Sequence, residues 1–452
     1  FNRATSKFIQ FKNDARNSHS LANNQVHAIG EDKFHNIWVG TENAGLSILH
    51  PETKSFDNYM HDELDNASIG SNSIYSFCRD TKGNMWVGSF TGGIDFLNAD
   101  NKFEHYKHNS LSNSLSNNLV LSIYEDSKQN IWIGTDGGGL NLFDPETGSF
   151  THYLHQEGNN NSIAGNYILN MHEDSEGNLL IGTWADGVTV YNKERNSYKQ
   201  YKYDASNPGS LSGNNAWAIT KDRDGNIWVG TYGGGLNLFN PATNSFTRYE
   251  YNSNDTTSVS SNKIQSLFED TEGNLWVGTD GGGLNLFNKQ TKTFTHYLQN
   301  NANNSIAGNN IRCVYEDENK NLWIATMNGL SCLDKNTSKF LNYSIDNGLP
   351  SNNIFGILED KNKNLWISSS HGISRFDKAS KTFKNFDAVY GLQGKEFKEQ
   401  AYYKDHKGLM YFGGNNGFNV FNPAGIKQTT FEPPLLLTDF EIFNKKVPVA
   451  VN

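Results

Sequence analysis

The chain has 452 residues, 36% hydrophobic and 13% aromatic, with 42 glycines, 9 prolines and a formal net charge of −10. That length exceeds what one hydrophobic core usually serves, so several domains or a repeat array are expected. The acidic balance, with no basic run to supply phosphate contacts, excludes nucleic acid and anionic membrane as partners of this segment, and no apolar run reaches spanning length.

The opening "FNRATSKFIQF" aligns with the later "FNPATNSFTRY" (Phe239–Tyr249). The chain therefore reads as starting at the end of one strand and contributing only a final strand, Ser6–Phe11, to its first unit. From there a single unit recurs. Anchored on the tryptophan of "NLWVGT", it gives Trp38, Trp86, Trp132, Trp228, Trp276, Trp323 and Trp366, with Leu180 and Tyr411 filling the same slot in two further copies. That makes nine copies, spaced 43 to 48 residues apart.

Each copy reads as four short strands. Copy six runs from strand a, "NKIQSLFED", through strand b, "NLWVGT", and a glycine loop to strand c, "GLNLF", then a turn and strand d, "FTHY". A long Asn/Ser-rich loop leads to the next strand a. Four antiparallel strands repeated at this period predict an all-β chain of β-propeller blades, with the recurrent tryptophan packed between blades.

Two tempting motifs dissolve into this repeat. Gly281-Gly282-Gly283 is no phosphate cradle, because a strand pattern follows it where a dinucleotide site needs a helix. The "DTEG" and "DRDG" turns lack the remaining ligands of a calcium loop, so they read as hairpin turns. No cofactor and no metal are expected. An asparagine before strand a recurs in eight copies (Asn24, Asn72, Asn118, Asn166, Asn214, Asn262, Asn309 and Asn352) and reads as a loop cap.

The ninth copy supplies only strands a to c before Pro433-Pro434 breaks the pattern ahead of "LLLTDFEIF". Two closures fit. One is a seven-bladed ring of copies three to nine, completed by "KFEHY" (Lys102–Tyr106); the other is a single nine-bladed ring completed by Ser6–Phe11. The first is preferred, because the chain looks cut within a repeat at its start and within a domain at its end. It divides the chain into residues 1–101, the last blades of a preceding propeller; 102–424, the seven-bladed propeller; and 425–452, a linker and the start of another module.

The repeat "ED-x-x-GN-x-W-V-G-T-x-x-GGL" resembles the two-component regulator propeller repeat. "GLQGKEF", "GLMYFGGNNGFNVFNP" and "PPLLLTDFEIFNKKVPV" are similar to that family's last blade and the start of its immunoglobulin-like module. The resemblance implies a periplasmic sensor region of a hybrid two-component system of Bacteroidetes type. It further implies two propellers, a downstream membrane helix and a histidine kinase, none of the latter within this chain, and an oligosaccharide as ligand. Departures are Leu180 in the tryptophan slot and nine copies where the family has fourteen. A homodimer is left open.

Chemistry that departs from the chain's own template marks candidate ligand contacts. Trp184 and Trp217 are the two tryptophans outside the packing slot; Trp184 and Tyr232 fall on b–c loops, and Trp217 and Tyr167 near the start of strand a. Aromatic planes suit sugar rings, although both tryptophans also fit as channel plugs or as filling for the space Leu180 leaves. Asp136 and Asp280, at the equivalent loop position, offer acceptors for hydroxyls or plain turn residues. Lys263 and Arg312 offer cations for an acidic glycan or a solvated rim. The alternatives are a protein-interaction scaffold and a propeller lyase or glycoside-processing enzyme, since streptogramin-lyase-like propellers have a similar Gly-Asn-x-Trp turn. Against an enzyme, His27 and His371 stand in different copies without an evident paired base, and no titratable set converges. Cys78, Cys313 and Cys332 form neither a disulfide framework nor a zinc pattern, and all three are expected as free thiols.

Overall fold

Copy six shows how the unit folds. Strands a (Ile264–Glu269), b (Leu275–Thr279), c (Leu284–Asn288) and d (Thr293–Tyr297) lie side by side, antiparallel and in chain order. Strand b is buried along its whole length, because neighbouring sheets cover both of its faces. In this computed structural model, residues 6–63, 68–99, 103–109, 113–300 and 304–426 are described, with the backbone of two short strands, Glu441–Ile442 and Lys445–Lys446.

The acidic turn does more than reverse the chain. Asp270 accepts the backbone N–H groups of Glu272 and Asn274 and also the Trp276 indole N–H, each at 3.0 Å. The same Asp–Trp bond recurs at Trp38, Trp86, Trp132, Trp228, Trp323 and Trp366, at 2.9–3.3 Å. In copy nine the Tyr411 hydroxyl donates to Asp405 in its place. A buried indole thus finds the partner that burial requires.

The glycine loop is a seam between copies. At Gly283 φ is +73°, and a Cβ there would lie 2.4 Å from the Tyr297 carbonyl oxygen. Its N–H donates to the carbonyl of Asn309 in the next copy, as Gly139 does to Asn166, Gly187 to Asn214 and Gly235 to Asn262. The side chains of all eight recurrent asparagines accept a backbone N–H from the loop before them, as expected of caps.

Copies three to nine form seven four-stranded sheets in a ring. Copy nine takes strands a to c from Phe397–Lys404, Met410–Gly414 and Gly417–Phe421, and its strand d is Glu104–Tyr106. The Gly417 N–H donates to the Asn118 carbonyl at 2.6 Å, repeating the seam bond and closing the ring. The nine-bladed alternative is thereby overturned. So is the strand expected over Ser6–Phe11: its intended partner is already paired, no extended strand forms there, and Phe8 is left 84% exposed.

Copy one is a four-stranded sheet (Val26–Glu31, Ile37–Thr41, Leu46–His50 and Ser55–Tyr59). Copy two has three strands (Ile74–Arg79, Met85–Ser89 and Ile94–Leu97), its fourth having gone to the ring. Among the described residues no further sheet covers its outer face, so Trp86 in the packing slot is 42% exposed where Trp276 is 2%. The expected immunoglobulin-like segment lies outside the described residues, apart from its first two residues and the two short strands.

Four seams of the ring carry a half-buried lysine. Lys193, Lys289, Lys335 and Lys378, each just after a strand c, bridge the turn aspartate of the preceding copy and the strand-a glutamate of their own at 2.5–3.1 Å. The seam between copies four and five differs. Pro241 stands in the lysine's place, and beside Leu180 an apolar void too small for water remains, lined by Val188, Val229 and Phe239.

Candidate binding site at the channel mouth

Every strand a carries a bulge near its start. Pairing with strand b skips one residue: His27, Tyr75, Leu121, Leu169, Trp217, Gln265, Arg312 and Phe355 in copies one to eight. A bulge re-aims the residue it leaves unpaired. Strand a is the innermost strand of a blade, so the bulged residues of copies three to eight face the axis of the ring. In copy nine the bulge grows to four residues, Lys398–Ala401, with Gln400 at a positive φ of 62°.

That long bulge crosses the channel. Gln400 donates through Nε2 to the Gln265 carbonyl at 2.7 Å and accepts through Oε1 from Asn170 Nδ2 at 3.0 Å, reaching copies six and four from copy nine. Glu399 pairs with the Arg312 guanidinium of copy seven. The channel is therefore plugged by copy nine and not by either out-of-slot tryptophan.

Above the plug, successive copies build one cluster. Trp184 on the b–c loop of copy four meets Trp217 of copy five edge-on, with centroids 5.8 Å apart and planes at 72°. Tyr232 on the next b–c loop lies 5.5 Å from Trp217 and 6.5 Å from Trp184. The Tyr232 hydroxyl donates to Asp280 of copy six at 2.6 Å, and Asn310 of copy seven donates to the other carboxylate oxygen. Lys263 stands 3.9 Å from Asp280 with its ammonium 5.4 Å from the centre of the Tyr232 ring. The bond to Asp280, with burial, pushes the Tyr232 phenol up to about 12.

The predicted residues divide accordingly. Trp184, Trp217, Tyr232, Asp280 and Lys263 come together. Arg312 lies within electrostatic reach of Tyr232 and Asp280, but it is buried over the Phe355 ring and engaged by Glu399, so it is no free rim cation. Burial depresses its pKa. Tyr167 and Asp136 stand apart on the copy-three side: the Tyr167 ring lies over Gly137, beside Asp136, and among the described residues makes no ring contact with the trio. The void beside Leu180 is lined by neither Trp184 nor Trp217, so neither fills it.

Sequence reasoning missed Asn310, Gln400 and Glu399, and treated His27 as unpaired. His27 in fact has a carboxylate partner, its Nε2 lying 2.6 Å from Glu42. The usable signal was the second residue of strand a, which changes chemistry from copy to copy while its neighbours hold. Among the described residues, no group of three or more His, Cys, Asp or Glu side chains could hold a metal ion.

The model of the two component regulator propeller family matches residues 20–43, 68–91, 114–137, 162–185, 210–233, 258–281, 305–328 and 348–371. The chain is 28% identical to the extracellular domain of the hybrid two component system BT3049 from B. thetaiotaomicron, with a TM-score of 0.74 over 94% of this chain and 56% of that one. The corresponding domain of BT4673 from the same organism is 22% identical, with a TM-score of 0.61 over 95% of this chain and 57% of that one. Virginiamycin B lyase from Staphylococcus aureus is 13% identical, with a TM-score of 0.52 over 71% of this chain and 99% of that one. The last two likenesses speak to fold alone, and the chain spans little more than half of each B. thetaiotaomicron domain. No curated protein matches the chain. Among the described residues no helix is long and apolar enough to cross a membrane. With eight of its nine copies matched in sequence and the same propeller architecture in its relatives, the chain belongs to the two component regulator propeller family.

Proposed function

We propose that this chain is the ligand-sensing part of an extracytoplasmic sensor, binding an oligosaccharide at the ring's mouth and signalling to a kinase outside this segment. The observation that carries the reading is the joining of Trp184, Trp217 and Tyr232 by two successive copies, with Asp280 and Lys263 at their edge. Stacked aromatic faces take the apolar side of a sugar ring, and the flanking carboxylate and ammonium meet its hydroxyls or an acidic substituent.

The contacts of Arg312 support a route for the signal in this reading. Arg312 feels Asp280 at the mouth and holds Glu399 of copy nine, the copy from which the chain leaves the ring. A ligand that draws on Asp280 changes the field at Arg312 and the hold on the long bulge.

Catalysis is not part of this reading: among the described residues no nucleophile–base pair or carboxylate pair gathers at the mouth. Calorimetric titration of the chain with candidate oligosaccharides, followed by chromatography of the mixtures, tests it. Saturable binding without turnover is expected. Product formation that survives purification controls overturns the sensor reading in favour of an enzyme.

A further inference from the structure

The ring site is assembled from two positions in each copy: the bulged residue of strand a and the first residue of the b–c loop. Copies one and two lie outside the ring, yet their residues at those positions also converge. The bulges supply His27 and Tyr75, and the loops supply Glu42 and Phe90. His27 stacks on Tyr75, with centroids 4.5 Å apart and planes within 10°, and Tyr75 stacks on Phe90 at 5.5 Å and 28°. His27 Nε2 lies 2.6 Å from Glu42 Oε2, which accepts from the Tyr75 hydroxyl at 3.2 Å, while Ser73 Oγ donates to Oε1 at 3.4 Å.

The ladder of rings is not part of the core of copies one and two, where Phe90 is 71% exposed and Tyr75 is also open to solvent. Nor is it a hydrolytic triad. The serine hydroxyl meets the carboxylate instead of the imidazole, so no nucleophile–base bond exists. What the cluster offers is an aromatic step with acceptors beside it. Beside the step Glu42 keeps lone pairs for incoming hydroxyls, with His27 Nε2 2.6 Å from its carboxylate. No lysine or arginine pairs with Glu42 among those residues, in contrast to Lys263 at the ring site.

We propose that His27, Glu42, Tyr75 and Phe90 form a second ligand site, separate from the ring, that takes a neutral ring-shaped ligand rich in hydroxyl donors. A neutral saccharide is the fitting class, and a carboxylated one is disfavoured by the uncompensated Glu42.

The test uses the full chain carrying Trp217→Ala, so that the ring site is weakened first and any change on altering Phe90 or Glu42 is read against that background. Maltotetraose, xylotetraose and mannotetraose serve as neutral probes and tetragalacturonate as the acidic comparator, titrated by calorimetry up to about 10 mM. At least one neutral probe is expected to bind this background, and adding Phe90→Ala should weaken it by about tenfold or more. Adding Glu42→Gln should weaken it as well, and the acidic comparator should bind no more tightly than the neutral probes. The proposal is overturned if no neutral probe binds, if Phe90→Ala leaves the affinity unchanged, or if the acidic comparator binds best. Phe90 is exposed and Glu42 is a half-buried loop residue outside the core clusters, so neither change threatens the fold.

Discussion

The Tyr232 hydroxyl donates to Asp280 at 2.6 Å and so ties copies five and six together across the mouth, between residues 48 apart in sequence. The bond holds the phenol protonated well past the ordinary value of 10.0, to about 12. In the unfolded chain this tyrosine ionises first, so stability contributed by the bond is complete below pH 10 and declines as pH rises toward 12. Asp280→Asn should bring one tyrosine's ionisation back toward the ordinary value, visible as an added step in the phenolate absorbance of a spectrophotometric titration. Superimposable titrations of variant and wild type would contradict the bond.

The lysine seams predict a pH response of opposite sign. Burial opposes the charge on Asp270, but hydrogen bonds from Trp276, Asn274 and Lys335 outweigh it and hold the carboxyl below its ordinary 3.8. Its contribution is therefore complete above the unfolded value and is lost as pH falls through the lowered folded one. The wild-type melting temperature should accordingly drop steeply below about pH 4. Lys335→Met leaves Asp270 and Glu316 buried without their shared cation, at a cost of about 3–5 kcal/mol. That variant should regain stability on mild acidification, as protonation removes the stranded charge. Melting curves of both proteins across the acid range check the two slopes.

The ring was legible because a strand was missing at one point and spare at another. Copy nine lacked a strand d, and "KFEHY" followed copy two, so closure at seven needed only the repeat register. The aromatic trio was legible for a related reason: Trp184, Trp217 and Tyr232 break a template that the chain states nine times over. The plug was not. Whether a residue of strand a is bulged depends on its register against strand b, and the pattern of one strand does not carry that register. Arg312 looked like a rim cation because its partner, Glu399, comes from two copies further on. The His27–Glu42 pair was hidden likewise, since strand a and the b–c loop are adjacent only once the sheet has formed.

Thiol chemistry checks copy seven independently. Cys78, Cys313 and Cys332 are all free, and in the strand pairing Cys313 sits opposite Ala325 while Cys332 sits opposite Trp323. Burial pushes the Cys313 thiol up to about 11 and, together with the nearby Asp317 and Asp334 charges, Cys332 to about 12. Thiolate is the reactive form, so brief iodoacetamide treatment of the native chain should label the exposed Cys78 and spare the other two. Mass spectrometry after digestion reads this directly. Rapid labelling of Cys313, or a Cys313–Cys332 bridge, would show that the strand assignment of copy seven is wrong.

Trp217 and Trp276 separate ligand contact from scaffold. Trp217 lies on a bulge among Trp184 and Tyr232, whereas Trp276 is buried in a seam with its indole N–H bonded to Asp270. Trp217→Ala should weaken oligosaccharide binding by about 1–3 kcal/mol, the scale of a lost aromatic contact, and leave the fold intact. Trp276→Ala removes a buried ring and strands a hydrogen-bonded carboxylate, so it should cost about 3–5 kcal/mol of stability with no selective effect on ligand. Calorimetric titration and melting curves of both variants give the contrast. If Trp217→Ala spares affinity but lowers the melting point as Trp276→Ala does, then Trp217 packs against the plug, and ligand contact must come from other residues of the mouth. A loss of affinity at an unchanged melting point in Trp217→Ala alone assigns that ring to the ligand.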